Sequence, residues 1–248
     1  MSAWLSLLKK ECRLGFIGFG IAFILMMVIL VFGVINTFRY QAQEAIPIIG
    51  LFIIGAHIFY FLGYMIVNLF LERKTLHIWL NSPQSGAVLL SAKLVSGILA
   101  MLVSMAIACL YTLFGTLFNM HLLKEIHLNL SELIREGISI CIFIVLISIY
   151  IGVIFTFIWT LYQTLRSKIG KWVWLVIIAL IFIVPWILGK LELTGIYALL
   201  TTWGAIKVHL WAGAVSTIYL GTFVFHFVIA IILFAISSWL LDRKIEVS

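Results

Sequence analysis

Two histidines lie inside long apolar stretches, where an ionisable side chain is costly and often functional. His57 is roughly ten residues and His226 about eleven residues into its stretch. At about 1.5 Å per helical residue, both fall near the midplane of a bilayer. Such an imidazole can bond a neighbouring backbone carbonyl or serine, line a substrate path, or ligate a haem. The sequence leaves these roles open for both histidines.

Small or hydroxylated residues recur at every fourth position of another apolar stretch. The set is Ala92, Ser96, Ala100, Ser104, Ala108, Thr112 and Thr116. Small side chains let helix backbones approach closely, so this spacing favours a helix-packing ridge; a hydroxyl-lined pathway is the alternative. The candidate residues of a substrate path are His57, Ser104, Thr112 and His226.

The residues needed to hydrolyse a nucleotide are missing from the chain. A phosphate-binding loop ends in Gly-Lys-Ser or Gly-Lys-Thr, whereas Gly189-Lys190 continues into Leu191. His121 and His127 have neither the spacing nor the glutamate of a zinc protease, and no serine-nucleophile elbow stands out. We therefore expect no catalytic residue, metal or cofactor in this chain.

The elements that position these residues are predicted to be membrane-spanning helices. The 248 residues are 65% hydrophobic and 10% charged, whereas an ordinary soluble domain has about 25% charged residues. Six stretches are long enough to cross a bilayer as helices and contain no Asp, Glu, Lys or Arg. They cover residues 15–38, 47–71, 94–119, 137–162, 172–189 and 215–241. The predicted fold class is all-α integral membrane.

Three local features complete the predicted architecture. Residues 1–14 form an amphipathic helix in the membrane interface, ahead of a six-helix domain over 15–248. Asn129 followed by Glu132 predicts a capping box at the start of the fourth spanning helix. Residues 190–213 are too polar for a clean span and too apolar for a solvated loop. We expect this outer segment to be partly inserted and packed on protein.

The distribution of basic residues predicts the orientation. Of the 16 Lys and Arg residues, about eleven fall at the two termini and in the second-to-third and fourth-to-fifth connections. The positive-inside rule then places both termini in the cytosol. This pattern accounts for the net charge of +7 without a nucleic-acid partner. A multi-pass protein of the cell membrane is predicted, with the lipid bilayer as its surroundings.

The connection between the second and third spans is the most polar segment near the membrane. This connection has the pattern of a short amphipathic helix, which Pro83 would end because proline lacks the N–H donor. Ion-coupled transporters normally keep an acidic residue at depth, and the six predicted spans contain none. An external energy source would therefore have to act on this connection.

With its interfacial helix, six spans, polar second-to-third connection and partly inserted outer segment, the chain resembles the ABC-2 type permease family. These proteins are the type V-like membrane subunits of ABC exporters. The resemblance covers essentially the whole chain, and its sharpest part lies around the polar connection. The matching residues are Glu72-Arg73, Leu80-Asn81-Ser82-Pro83 and Leu89-Leu90-Ser91-Ala92-Lys93. Lys74 stands where the family has a glycine, while Thr75 keeps the family's threonine.

The resemblance implies a bacterial permease that pairs with a second copy or paralogue and with two separate ATPase subunits, which bind ATP and Mg. The connection would contain a coupling helix that docks on an ATPase. The residues implied for this interface are Glu72, Arg73, Thr75, Leu76, Trp79, Leu80, Asn81 and Pro83. The implied cargo is a hydrophobic or amphipathic molecule, with a peptide, as in Gram-positive export systems, as the leading expectation.

Two other functions remain open at this point. The first alternative is a membrane anchor or sensor subunit that transports nothing. The second is an integral membrane haem protein or enzyme. The polar connection also has an alternative interpretation, as an interfacial helix that lies on lipid without a protein partner.

Overall fold

The computed structural model describes residues 3–42, 44–72, 84–119, 129–209 and 215–243. Helices account for most of them. In chain order these are α1 (Ala3–Tyr40), α2 (Ala45–Ala56), α3 (Tyr60–Glu72), α4 (Gly86–Phe118), α5 (Leu130–Ile169), α6 (Val173–Glu192), α7 (Gly195–Thr201) and α8 (Leu220–Arg243). Single turns of 3₁₀-helix, His57–Phe59 and Gly170–Trp172, join α2 to α3 and α5 to α6.

Among the residues that the structure describes, five helical stretches are long and apolar enough to cross a membrane. They are Trp4–Tyr40, Ala45–Glu72, Gly86–Phe118, Leu130–Glu192 and Leu220–Arg243. A predominantly apolar helix of about 20 residues suffices to span the hydrocarbon core. This part of the structure indicates a membrane protein, as the composition predicts.

The stretch Leu130–Glu192 contains two helices and a reversal of the chain. Gly170 adopts a left-handed conformation, with φ +57°, which glycine adopts at little cost. The rings of Tyr162 and Trp174 are 5.2 Å apart, although twelve residues of straight helix would rise about 18 Å. The chain therefore turns back between α5 and α6.

The ends of the helices differ from the predicted limits. α1 runs without a break from Ala3 through residue 14, so residues 3–14 of the predicted amphipathic segment are the first part of one long helix. The start of α5 has one of the two hydrogen bonds of the predicted capping box, since the backbone N–H of Asn129 donates to Glu132 Oε2 at 3.2 Å.

The segment before the last helix contains β-structure, which the all-α prediction did not include. β1 (Ala205–His209) pairs antiparallel with β2 (Val215–Tyr219), and Ile206 lies opposite Ile218. The predicted start of the sixth span at residue 215 is therefore wrong, since α8 begins at Leu220. β-Branched and aromatic residues in the second strand favour extended structure. An apolar run alone does not distinguish a strand from a helix.

The chain forms two compact units. The first comprises Met1–Lys74 and Ser91–Gly152, and the second comprises Thr75–Leu90 and Val153–Ser248. In the second unit, α7 and α8 pack together, with the rings of Tyr197 and Phe225 5.3 Å apart and nearly perpendicular. The N-terminus of α4 is capped there by Asp242, whose Oδ1 accepts from the Gly86 N–H at 2.6 Å.

The ridge of small residues on α4 is a packing surface of the first unit. Ala92, Ser96, Ser104, Ala108 and Thr116 are all buried. Glycines on the same helix allow further close approaches. A Cβ on Gly97 would lie 2.6 Å from a ring carbon of Phe61. The helix-packing interpretation of this spacing is confirmed for this part of α4.

Candidate functional site

A cluster of charged side chains is buried in the first unit. Glu11 and Lys93 are 0% exposed and Glu72 is 2% exposed. Lys93 Nζ lies 2.6 Å from Glu11 Oε2 and 2.6 Å from Glu72 Oε2, and it also donates to Asn68 Oδ1. We call Glu11, Asn68, Glu72 and Lys93 the buried charge cluster. One ammonium group thus contacts three oxygen-bearing side chains.

Lys10 supplies the second positive charge. Its Nζ lies 3.3 Å from Glu72 Oε1 and 3.7 Å from Glu11 Oε1, with about half of the side chain (51%) exposed. The two carboxylates are therefore balanced by Lys93 within the cluster and by Lys10 at its edge. The Lys10 ammonium is in contact with solvent, so its pairs with the two carboxylates are weaker than those of the buried Lys93.

Three helices contribute to the cluster. Glu11 belongs to α1, Asn68 and Glu72 to α3, and Lys93 to α4. Asn68 and Glu72 are four residues apart and so share one face of α3. Glu72 is also the last residue of α3, directly before the polar connection. The cluster therefore fixes the end of α3 to two other helices.

Sequence reasoning missed this cluster. It treated Glu72 and Lys93 as the ends of a polar connection and did not single out Glu11 or Asn68. The available signal was a set of opposite charges at the limits of three apolar stretches. The six predicted spans contain no acidic residue, but α1 and α3 extend beyond the predicted limits, and Glu11 and Glu72 are buried carboxylates in those extensions. The absence of acidic residues from the predicted spans therefore does not establish that the energy comes from an external source.

His57 is buried in the first unit with partners for both ring nitrogens. Nδ1 lies 2.8 Å from the carbonyl oxygen of Ile53, and Nε2 lies 3.0 Å from Ser104 Oγ. Because a carbonyl oxygen can only accept, Nδ1 carries a proton; in the neutral imidazole, Nε2 is then the acceptor for the Ser104 hydroxyl. Tyr60 stacks on the imidazole at 5.3 Å. The His57–Ser104 hydrogen bond links the 3₁₀ turn after α2 to α4.

The other predicted path residues lie apart from this pair. The hydroxyl of Thr112, two helical turns beyond Ser104, donates to the Ala108 carbonyl at 2.8 Å. His226 belongs to the second unit, where its Nδ1 lies 2.8 Å from the Thr222 carbonyl oxygen. The structure brings His57 and Ser104 together, and a substrate path through all four residues stays a prediction.

Most of the predicted coupling interface falls outside the described residues. Glu72 is described and belongs to the buried charge cluster. The remainder lies within residues 73–83, which the structure does not describe: Arg73, Thr75, Leu76, Trp79, Leu80, Asn81 and Pro83. Their role as a docking helix stays a prediction.

Two cysteines form a dithiol pair between α4 and α5. Cys109 Sγ and Cys141 Sγ are 3.3 Å apart, and both residues are partly buried, whereas Cys12 is exposed. We expect the azo oxidant diamide to convert this pair into an intramolecular disulfide. Two electrons and two protons pass from the thiols to the azo group as the S–S bond forms.

Mass spectrometry of digested full-length protein would detect this disulfide. The Cys109 and Cys141 peptides should appear as one linked species, two hydrogens lighter than the sum of the separate peptides. Cys109→Ser should abolish it, while the matched control Cys12→Ser should leave it intact. A disulfide that instead contained Cys12, or an unoxidised pair under denaturing alkylation, would contradict the observed packing of α4 and α5.

Comparison with known proteins gives no match to a protein-family model, a curated protein or a solved structure. The functional argument therefore depends on the residues and the geometry described above.

Proposed function

We propose that this chain is the permease subunit of an ATP-driven ABC exporter, working with separate ATPase subunits. The observation that supports this best is the buried charge cluster at the end of α3, directly before the connection implied to receive the ATPase. A permease that hydrolyses no nucleotide needs a mechanical link between that connection and its membrane helices. The cluster is such a link.

The energetics of the cluster suit this role. Removing one partner from a buried ion pair typically costs about 3–5 kcal/mol, so these contacts persist when a modest force acts on one helix. A displacement of residue 72 is then passed to α1 through Glu11 and to α4 through Lys93. Movement of one connection thereby moves three helices together.

The proposed arrangement has six spans, both termini in the cytosol and a second permease copy or paralogue across the substrate path. The chain reversal between α5 and α6 favours six spans, because the 63 residues of Leu130–Glu192 would form a straight helix of about 95 Å. That length is about three times the hydrocarbon core. The proposed cargo is a hydrophobic or amphipathic peptide in a bacterial cell membrane.

The test is co-purification of the full chain from its native membrane, with identification of bound ATPase subunits and measurement of their ATPase activity. We expect Trp79→Ala to lower permease-stimulated ATPase activity at least tenfold, since a buried Trp anchor typically contributes 2 kcal/mol or more to an interface. His77→Ala, a neighbour outside the predicted apolar face, is the matched control.

The same preparation separates the alternatives. A chain that binds the ATPase and stimulates it but moves no peptide in proteoliposomes would be an anchor or sensor subunit. A haem absorbance band in the purified chain would indicate the haem protein instead. If no ATPase co-purifies and the two variants behave alike, the exporter proposal is wrong.

A further inference from the structure

The reversal between α5 and α6 forms a cleft lined by basic and aromatic side chains. The cleft has a volume of about 420 Å³ and lies within the second unit. Its lining residues are Tyr162, Arg166, Gly170, Lys171, Val173 and Trp174. The turn at Gly170 brings the end of α5 and the start of α6 to the same opening.

Two cations of the cleft are available to an anionic ligand. Arg166 and Lys171 are both exposed. The Arg166 guanidinium lies 5.8 Å from the centre of the Tyr162 ring. Among the residues that the structure describes, no carboxylate lies within ion-pair distance of Arg166 or Lys171. Their charge is therefore not neutralised within this part of the protein.

The aromatic side chains favour a position of the cleft at a membrane surface. Trp174 is 58% exposed, although it stacks at a tilt on Tyr162 at 5.2 Å. Exposed tryptophans and tyrosines at the ends of apolar helices favour the headgroup region of a bilayer. A ligand held here would have its polar part at the level of lipid headgroups.

An apolar surface continues from the cleft along α6. Val173 and Ile177 are the buried residues of this helix, while Leu175, Ile178 and Phe182 are exposed. A hydrocarbon chain could therefore lie along α6 below a headgroup in the cleft. A free inorganic anion would contact only Arg166 and Lys171 and not the apolar surface of α6.

We propose that this cleft binds an anionic phospholipid, with the headgroup phosphate between Arg166 and Lys171 and an acyl chain along α6. The cations match the charge of the phosphate, the Trp174 ring lies beside the glycerol region, and the exposed aliphatic side chains match the tail. The site does not depend on the proposed exporter function, since it needs only a bilayer with anionic lipid.

Native mass spectrometry of the detergent-purified full chain can test this site. The probes are phosphatidylglycerol, phosphatidylcholine and inorganic phosphate. Each Lys or Arg near an anionic membrane surface contributes roughly a fivefold gain in affinity. We therefore expect the double variant Arg166→Gln with Lys171→Gln to bind phosphatidylglycerol more than tenfold more weakly. The matched control is Lys168→Gln with Arg243→Gln, which removes equal charge from exposed residues outside the cleft. This control should change the affinity less than twofold.

Equal losses in the two double variants would show a diffuse surface charge and overturn the proposal. Competition by inorganic phosphate at the affinity of the lipid, or equal binding of phosphatidylcholine, would also overturn it. If the double variant does not insert, the single variants Arg166→Gln and Lys171→Gln are compared with Lys168→Gln. Trp174→Ala should weaken lipid binding more than Trp172→Ala does.

Discussion

Lys93→Met should destabilise the protein by about 3–5 kcal/mol, the typical cost of removing one partner from a buried ion pair. Methionine fills a similar volume but leaves Glu11 and Glu72, which are 0% and 2% exposed, without the ammonium that contacts both carboxylates. Thermal unfolding of the detergent-purified protein, followed by size-exclusion chromatography of the heated samples, measures the effect.

Lys10→Met is the matched control for this substitution. It removes the same charge from a side chain that is 51% exposed, at 3.3 Å from Glu72 Oε1. Exposed ion pairs typically contribute less than about 1 kcal/mol, so this variant should unfold near the temperature of the parent protein. Equal effects of the two substitutions would contradict the assignment of Lys93 as the centre of the cluster.

A compensated variant separates charge from packing. Lys93→Met combined with Glu11→Gln and Glu72→Gln removes the uncompensated negative charges, and replacing a whole buried ionic group is often close to neutral. We expect this triple variant to recover much of the lost stability. Failure of any recovery would indicate that the lysine acts through its packing and not through its charge.

Gly50→Leu should disrupt the contact of α2 with α4. A Cβ at this position would fall on Thr112 Oγ1 and lie 3.1 Å from the Thr112 Cα. The backbone of α4 cannot move aside as a flexible side chain can, so the helices must separate. Overpacking of this kind typically costs about 1–3 kcal/mol, sometimes more. The measurement is the same unfolding assay, with the yield of monodisperse protein as a second readout.

Gly55→Leu on the same helix is the control for Gly50→Leu. A Cβ on Gly55 meets no atom within 4 Å, and leucine favours helix over glycine by nearly 1 kcal/mol. This variant should be as stable as the parent protein or slightly more stable. If both glycine substitutions destabilise equally, a close approach at residue 50 is not the cause.

Particular residues show how far local pattern predicts the fold. The fourth-position spacing on α4 predicted a packing ridge, and Ala92, Ser104 and Ala108 are buried as that spacing requires. Glu132 accepts from the Asn129 backbone N–H, which is one of the two hydrogen bonds of the predicted capping box, because both residues belong to one helical turn. In contrast, Val215–Tyr219 forms a strand and not the start of a helix. A short apolar run next to a helix has no hydrophobic periodicity that would distinguish a strand from a further turn of helix.

The sequence by itself determined that this is a helical membrane protein, because the length and hydrophobicity of a span are properties of consecutive residues. It also indicated which face of α4 packs, since helical periodicity is local. Only the tertiary structure decided that Glu11, Asn68, Glu72 and Lys93 form one buried cluster. Their contacts join residues up to 82 positions apart, and whether a charge at the end of a span faces water or a counter-charge depends on which helices lie beside it.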